Sequence, residues 1–203
     1  MHNFNGQRQI VGYDAESLRG WNPLDGKRIW KVVPEKEGDF KVPTPIGIGE
    51  RLLVATENNS TRLFHFNGQG YKGAVRIAPK PDHRFNDLAP DMITPVVLGG
   101  MVFCTHNANL YCLDAKSLKL LWKHRDMAFY GYASLIAGNG HVLITSIDGE
   151  LLLVRADRKK YELVGRLRLF DDKKTQIWSH PAIVEGRLYI RNENSVNCLP
   201  LPK

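Results

Sequence analysis

Seven histidines and three cysteines are the side chains best equipped for metal or nucleophilic chemistry in this chain of 203 residues. The histidines are His2, His65, His83, His106, His124, His141 and His180. They form no HxH or HExxH pattern, the spacings that bring two imidazoles onto one metal. His106 and His180 fall near predicted strand ends, where a side chain can approach a central channel, but strand-end or core roles are expected for all seven. Cys104, Cys112 and Cys198 are odd in number and contain no CxxC, so they build no disulfide framework. A hairpin with its tip at Asn107-Ala108 sets Cys112 opposite Phe103. That register turns Cys104 to the other face and argues against a bridge, leaving the thiols as small buried hydrophobes. Ser134 and Ser179 lack a nucleophile-elbow context. Asp171-Asp172-Lys173-Lys174 reads as a solvated loop, and no Gly-rich phosphate loop follows a strand. No catalytic, cofactor-binding or metal-ligating residue is expected in this chain.

The remaining chemistry-bearing side chains are the tryptophans, and their spacing points to architecture. Leu110 to Trp122 reads as a strand, a polar turn at Asp114 to Ser117, and a second strand, with Leu110, Cys112, Leu120 and Trp122 apolar at period two. The pattern recurs. An apolar residue followed four positions later by a turn starter appears as Leu18/Asn22, Leu63/Asn67 and Leu110/Asp114, with weaker copies at Leu151/Arg155 and Val196/Pro200. Successive copies lie 41 to 47 residues apart. Short strands repeating at that period are the signature of a β-propeller.

Each full copy predicts four antiparallel strands. The first strand carries a Thr-Pro or His-Pro step, seen at Thr44-Pro45, Thr94-Pro95 and His180-Pro181. The third ends at the turn starter, as at Asn22, Asn67 and Asp114. The fourth often ends in tryptophan, as at Trp30 and Trp122. The expected blade segments are 7–35, 41–80, 90–126, 130–171 and 176–203, giving an all-β, four-stranded-blade propeller of about four to five blades. Nothing before Gln7 reads as a first strand, and the last copy stops after its third. One shared blade cannot repair both ends, so the chain is expected to be the C-terminal part of a larger propeller, with open blade edges available for self-association. The segment Pro79 to Pro90 is expected to be a mobile surface loop. No confident helix is predicted.

A net charge of +7 could indicate an anionic partner, but the basic residues are scattered. Even the densest run, Arg155 to Lys160, falls on a predicted hairpin tip. A solvated surface is expected, with no nucleic-acid face. Arg166 to Phe170 alternates Arg with Leu as an amphipathic strand would. No apolar run reaches transmembrane length. The N-terminus lacks the apolar core of a signal peptide.

Leu110 to Trp122 resembles the pyrroloquinoline-quinone-like (PQQ-like) propeller repeat, and Asn22-Pro-Leu-Asp-Gly-Lys-Arg-Ile-Trp30 matches it at the same offset. Thr44-Pro45, Thr94-Pro95 and His180-Pro181 resemble the first-strand Ser-Pro of that family. Two fourth strands depart, with Val75 and Leu163 where tryptophan is expected. The resemblance implies a propeller and an exported or periplasmic setting. It covers both quinoprotein dehydrogenases and non-enzymatic scaffolds, including the outer-membrane assembly lipoprotein family. Dehydrogenases of the family carry adjacent cysteines, absent here, and need a cation held by oxygen ligands and a carboxylate base. No such cluster stands out. Trp21, Trp30, Trp122 and Trp178 sit at repeat-equivalent or strand positions, where burial between blades suffices as a role. The expected function is a protein-interaction scaffold with no cofactor in this chain. The alternative is the C-terminal part of a quinoprotein oxidoreductase whose catalytic residues lie elsewhere. An exposed aromatic patch on one rim favours the scaffold.

Overall fold

The computed structural model describes residues 1–14, 16–68, 75–170 and 176–201. Among the described residues, runs of β-branched and aromatic residues between tight turns produce twenty strands and one 3-10 turn, Met127–Phe129. The strands form five antiparallel sheets, four of them meanders in chain order, as short turns impose, and the fifth a meander to which one further strand is added out of order. The chain divides into two compact units, Met1–Pro95 with Ala115–Lys119, and Val96–Asp114 with Leu120–Lys203.

The first unit begins with a sheet of β1 (His2–Phe4), β2 (Gln7–Tyr13), β3 (Leu18–Trp21) and β4 (Arg28–Val32). The strand β1 overturns the expectation that the first blade lacks its innermost strand. Asn5 and Gly6 both take positive φ and close a two-residue hairpin onto β2. Phe4 fixes β1 in place. It is fully buried and stacks on Phe66 with ring centroids 3.8 Å apart. Around it gather Leu18, Trp30, Leu52, Val54 and Phe64.

The second sheet holds β5 (Ile46–Ile48), β6 (Arg51–Thr56), β7 (Ser60–Asn67), β8 (Arg76–Ile77) and β9 (His83–Phe85). Here the segment Pro79 to Pro90 departs from the expected plain surface loop. Its residues His83 to Phe85 form β9 and pair with Thr61 to Leu63 of β7. Asp82 N–H donates to Leu63 O, the Thr61 hydroxyl to Leu88 O, and Leu88 is fully buried. The fourth strand of this blade is thus split in two, β8 on one half of β7 and β9 on the other. After β7 the sequence reads as a turn over Asn67 to Gly70 and a strand over Lys72 to Ile77; residues 69–74 lie outside the described residues.

The second unit contains β10 (Val96–Leu98), β11 (Met101–His106), β12 (Asn109–Asp114) and β13 (Leu120–Arg125) in one sheet. A second sheet holds β14 (Ala133–Gly138), β15 (His141–Ser146), β16 (Glu150–Arg155) and β17 (Leu163–Arg168). A third holds β18 (Ala182–Val184), β19 (Arg187–Arg191) and β20 (Val196–Pro200). Phe103 faces Cys112 and Cys104 faces Tyr111, and none of the three cysteines is in a disulfide. Pro45, Pro95 and Pro181 each stand one residue before the first strand of their sheet, so those strands start later than the Thr-Pro or His-Pro step suggested.

Three of the fourth strands, β4, β13 and β17, share one irregularity. A single residue is skipped in the pairing at Ile29, at Leu121 and at Val164. Such a bulge bends the strand and re-aims the next side chain. After it, Trp30 stands opposite Gly20, Trp122 opposite Cys112, and Gly165 opposite Leu153. The stretch between the last paired positions before the third of these runs over residues 155–162, against 22–27 and 114–119 in the others. That longer stretch moves the tryptophan-equivalent position from Leu163, where counting along the sequence put it, to Gly165.

Candidate functional site

Trp178 is held outward by its neighbours. Ile177 is buried, and its N–H donates to Ile147 O at 2.8 Å. Pro181 is buried ahead of β18, and the Ser179 hydroxyl donates to Arg191 O at 2.7 Å. Between these anchors the Trp178 ring lies over Tyr132 with centroids 5.3 Å apart, and its indole N–H donates to Gln176 Oε1. It remains 52% exposed. Tyr132 itself is buried, which raises its phenol pKa, and the His180 ring meets it edge-on at 6.3 Å. In the segment leading into Tyr132, Met127 and Tyr130 are 63% and 65% exposed. Asp126 caps the 3-10 turn that carries Met127, accepting from Ala128 N–H, and is itself pinned by Arg166 at 2.8 Å. The expectation that Trp178 occupies a buried strand position is corrected: it lies outside the strands and half in solvent. Exposed Trp, Tyr and Met on a rigid base are the residues that dominate protein interfaces.

A second feature of this unit is an apolar groove of about 650 Å3 between the sheet β14–β17 and the sheet β18–β20. Ile136, Leu143, Leu153 and Leu167 line one wall, Ile183 and Leu199 the other. Gly165 and His141 also line it. Arg166 borders it as well; its guanidinium pairs with Glu150 and Asp126, and Arg168 also pairs with Glu150. The guanidinium groups of the Arg-Leu alternation are thus held in ion pairs, while Leu167 lines the groove.

In the first unit, Arg62 is buried beside Phe64. Its Nη2 donates to the Thr56 hydroxyl at 3.0 Å and to the Tyr13 hydroxyl at 3.5 Å. Burial lowers the guanidinium pKa and pushes Tyr13 up to about 12. This pair braces β2 against β7.

The repeat positions fall as follows. Trp30 is buried and donates its N–H to Gln9 Oε1 at 2.6 Å. Trp122 donates to Asp157 O at 2.8 Å and meets Tyr161 edge-on at 6.0 Å. Asn22 Oδ1 accepts from Leu24 N–H inside its turn, and Asn67 pairs with Arg76. Asp114 accepts from Arg158 at 2.7 Å, so part of the densest basic run is ion-paired. His106 contacts Asn107, and His180 contacts Tyr132. Among the described residues no group of three or more His, Cys, Asp or Glu is placed to hold a metal. The aspartates and lysines at 171–174 lie outside the described residues. Sequence reasoning missed the Trp178 patch because the tryptophan was read with its repeat copies. Its position ahead of His180-Pro181, outside any alternating run, was the available signal.

No family model matches the sequence, and neither does any curated protein. Solved structures do resemble it. BamB from Moraxella catarrhalis superposes with a TM-score of 0.64 at 14% identity, over 96% of this chain and 54% of that one. The β-propeller domain of Cps50 (Swd1) from Myceliophteria thermophila gives 0.63 at 12% identity, over 95% and 65%. Raptor from Chaetomium thermophilum gives 0.68 at 13%, over 97% and 19%. The chain spans about half the length of BamB. At these identities the likeness defines a fold: an all-β propeller of four-stranded antiparallel blades. Among the described residues no helix is long and apolar enough to cross a membrane.

Proposed function

We propose that this chain is a PQQ-like propeller segment that acts as a non-enzymatic protein-interaction module, docking a partner through Trp178, Tyr130 and Met127. One observation carries the reading: an indole half in solvent and fixed by stacking on a buried tyrosine. A rigid aromatic loses little conformational entropy on binding and buries a large area, which makes it an interface anchor. The likeness to BamB supports the PQQ-like assignment, and with it an exported or periplasmic setting. On this reading the chain binds no quinone.

A photo-crosslinking residue at position 178 tests it, with position 24, where Leu24 is 93% exposed, as the control. The expected result is a discrete protein conjugate from position 178 that weakens in Tyr130→Ala and is missing from position 24. Equal conjugates from both positions would refute the reading. So would quenching of Trp178 fluorescence by pyrroloquinoline quinone with Ca2+.

A further inference from the structure

The groove beside β17 lies where two other blades keep an indole. Trp30 and Trp122 follow the bulge of their fourth strands, opposite Gly20 and Cys112. Gly165 follows the same bulge opposite Leu153. Its backbone does not require glycine. Its φ is not in the positive region, and a Cβ built there meets nothing within 4 Å. By contrast, a Cβ on Gly20 would collide with the Trp30 ring. Glycine inside a strand often marks a place that another group approaches closely.

The partner for an indole N–H is also present. In the first sheet Gln9 accepts from Trp30. Val11 pairs with Gly20, and Leu143 pairs with Leu153, so the register places His141 where the first sheet has Gln9. The Asn139 carbonyl, which can only accept, lies 2.8 Å from His141 Nδ1. Nδ1 therefore carries the proton, and in the neutral ring Nε2 is left as an acceptor at the groove.

The geometry points to a tryptophan side chain of a partner polypeptide as the occupant of this groove, its ring over Gly165 and its N–H donated to His141 Nε2. This rests on the protein-interaction reading and extends it to the chemistry of the partner. The apolar walls from Leu153, Leu167 and Leu199 would take the ring and flanking side chains of an extended segment.

The probe is a peptide copying residues 118–125 of this chain, Leu-Lys-Leu-Leu-Trp-Lys-His-Arg, titrated into the 15N-labelled full chain. The amides of Gly138, His141, Gly165 and Leu167 should shift. The peptide carrying Trp122→Ala should bind roughly tenfold more weakly or worse, as for loss of a buried aromatic anchor. His141→Ala should weaken the tryptophan peptide alone. Gly165→Trp, filling the place from within, should raise Tm and abolish binding; the peptide comparison on the wild-type chain stands even if that variant fails to fold. Absence of shifts at those amides, or equal binding of the two peptides, would overturn the inference. So would free indole binding as tightly as the peptide, which would make the groove a small-molecule pocket. If these fail while the conjugate at position 178 persists, only the groove assignment falls.

Discussion

Trp30 donates its indole N–H to Gln9 Oε1 at 2.6 Å, and both side chains are buried. Gln9 in turn donates to Val75 O at 2.8 Å, so one tryptophan ties β4 to β2 and, through it, to the chain before β8. The indole also covers Gly20 so closely that no side chain fits there. Two variants separate these effects. Trp30→Phe keeps a ring but strands a buried acceptor, which costs about 1–3 kcal/mol. Gly20→Ala pushes a methyl into the ring and should cost about 1–3 kcal/mol by overpacking. Urea unfolding measures both, and a loss under about 0.5 kcal/mol in either, the range of an ordinary surface change, would mean that the ring is not packed as described.

The three thiols should react in two classes. Cys198 is exposed, whereas Cys104 and Cys112 are buried. Native protein should therefore release one equivalent of a thiol reagent quickly and three after unfolding. Burial, opposed by Arg158 and helped by Asp157, pushes Cys112 up to about 12 from 9.0. The raised value means the folded chain holds this proton after the unfolded chain has lost it. Stability from this group is complete below pH 9 and falls as pH rises from there toward 12. Cys112→Ala should flatten that part of the pH–stability curve. An unchanged slope would place the alkaline sensitivity elsewhere.

Backbone exchange should alternate along β20. Leu201 N–H donates to Gly186 O, and Asn192 N–H to Ser195 O, so the pairing rule turns the N–H groups of Asn197 and Leu199 toward β19. The N–H groups of Val196 and Cys198 then point away from it. They should exchange fast while their neighbours are protected. Protection of all four would mean that another chain covers this edge. In the first unit, Asp82 N–H should be protected by its bond to Leu63 O.

The repeat was legible because its signals are local. The period of the apolar positions, the turn starters and the Thr-Pro and His-Pro steps each follow from backbone rules over a few residues. They anticipated a propeller of four-stranded blades, which the structural likenesses bear out. The failures have physical reasons. The strand β1 carries one apolar residue, and its evidence was the Asn5-Gly6 turn rather than alternation. The strand β9 carries one apolar residue, Phe85, and is held by pairing with β7, a tertiary effect that periodicity does not register. Gly165 was displaced from its true position by a longer turn, and only strand register locates it. Tyr132 beneath Trp178 comes from a distant segment, so the aromatic patch had no contiguous signal.

The most direct test of the interaction reading is 19F NMR of the chain labelled with 5-fluorotryptophan, titrated with the purified protein recovered at position 178. Its four tryptophans give one line each. The account predicts that the Trp178 line alone is relaxed by a soluble paramagnetic agent to the extent of an exposed ring, and that it shifts or broadens when the partner binds. The lines of buried Trp30 and Trp122 should stay fixed. A bound partner that leaves the Trp178 line untouched would contradict the account.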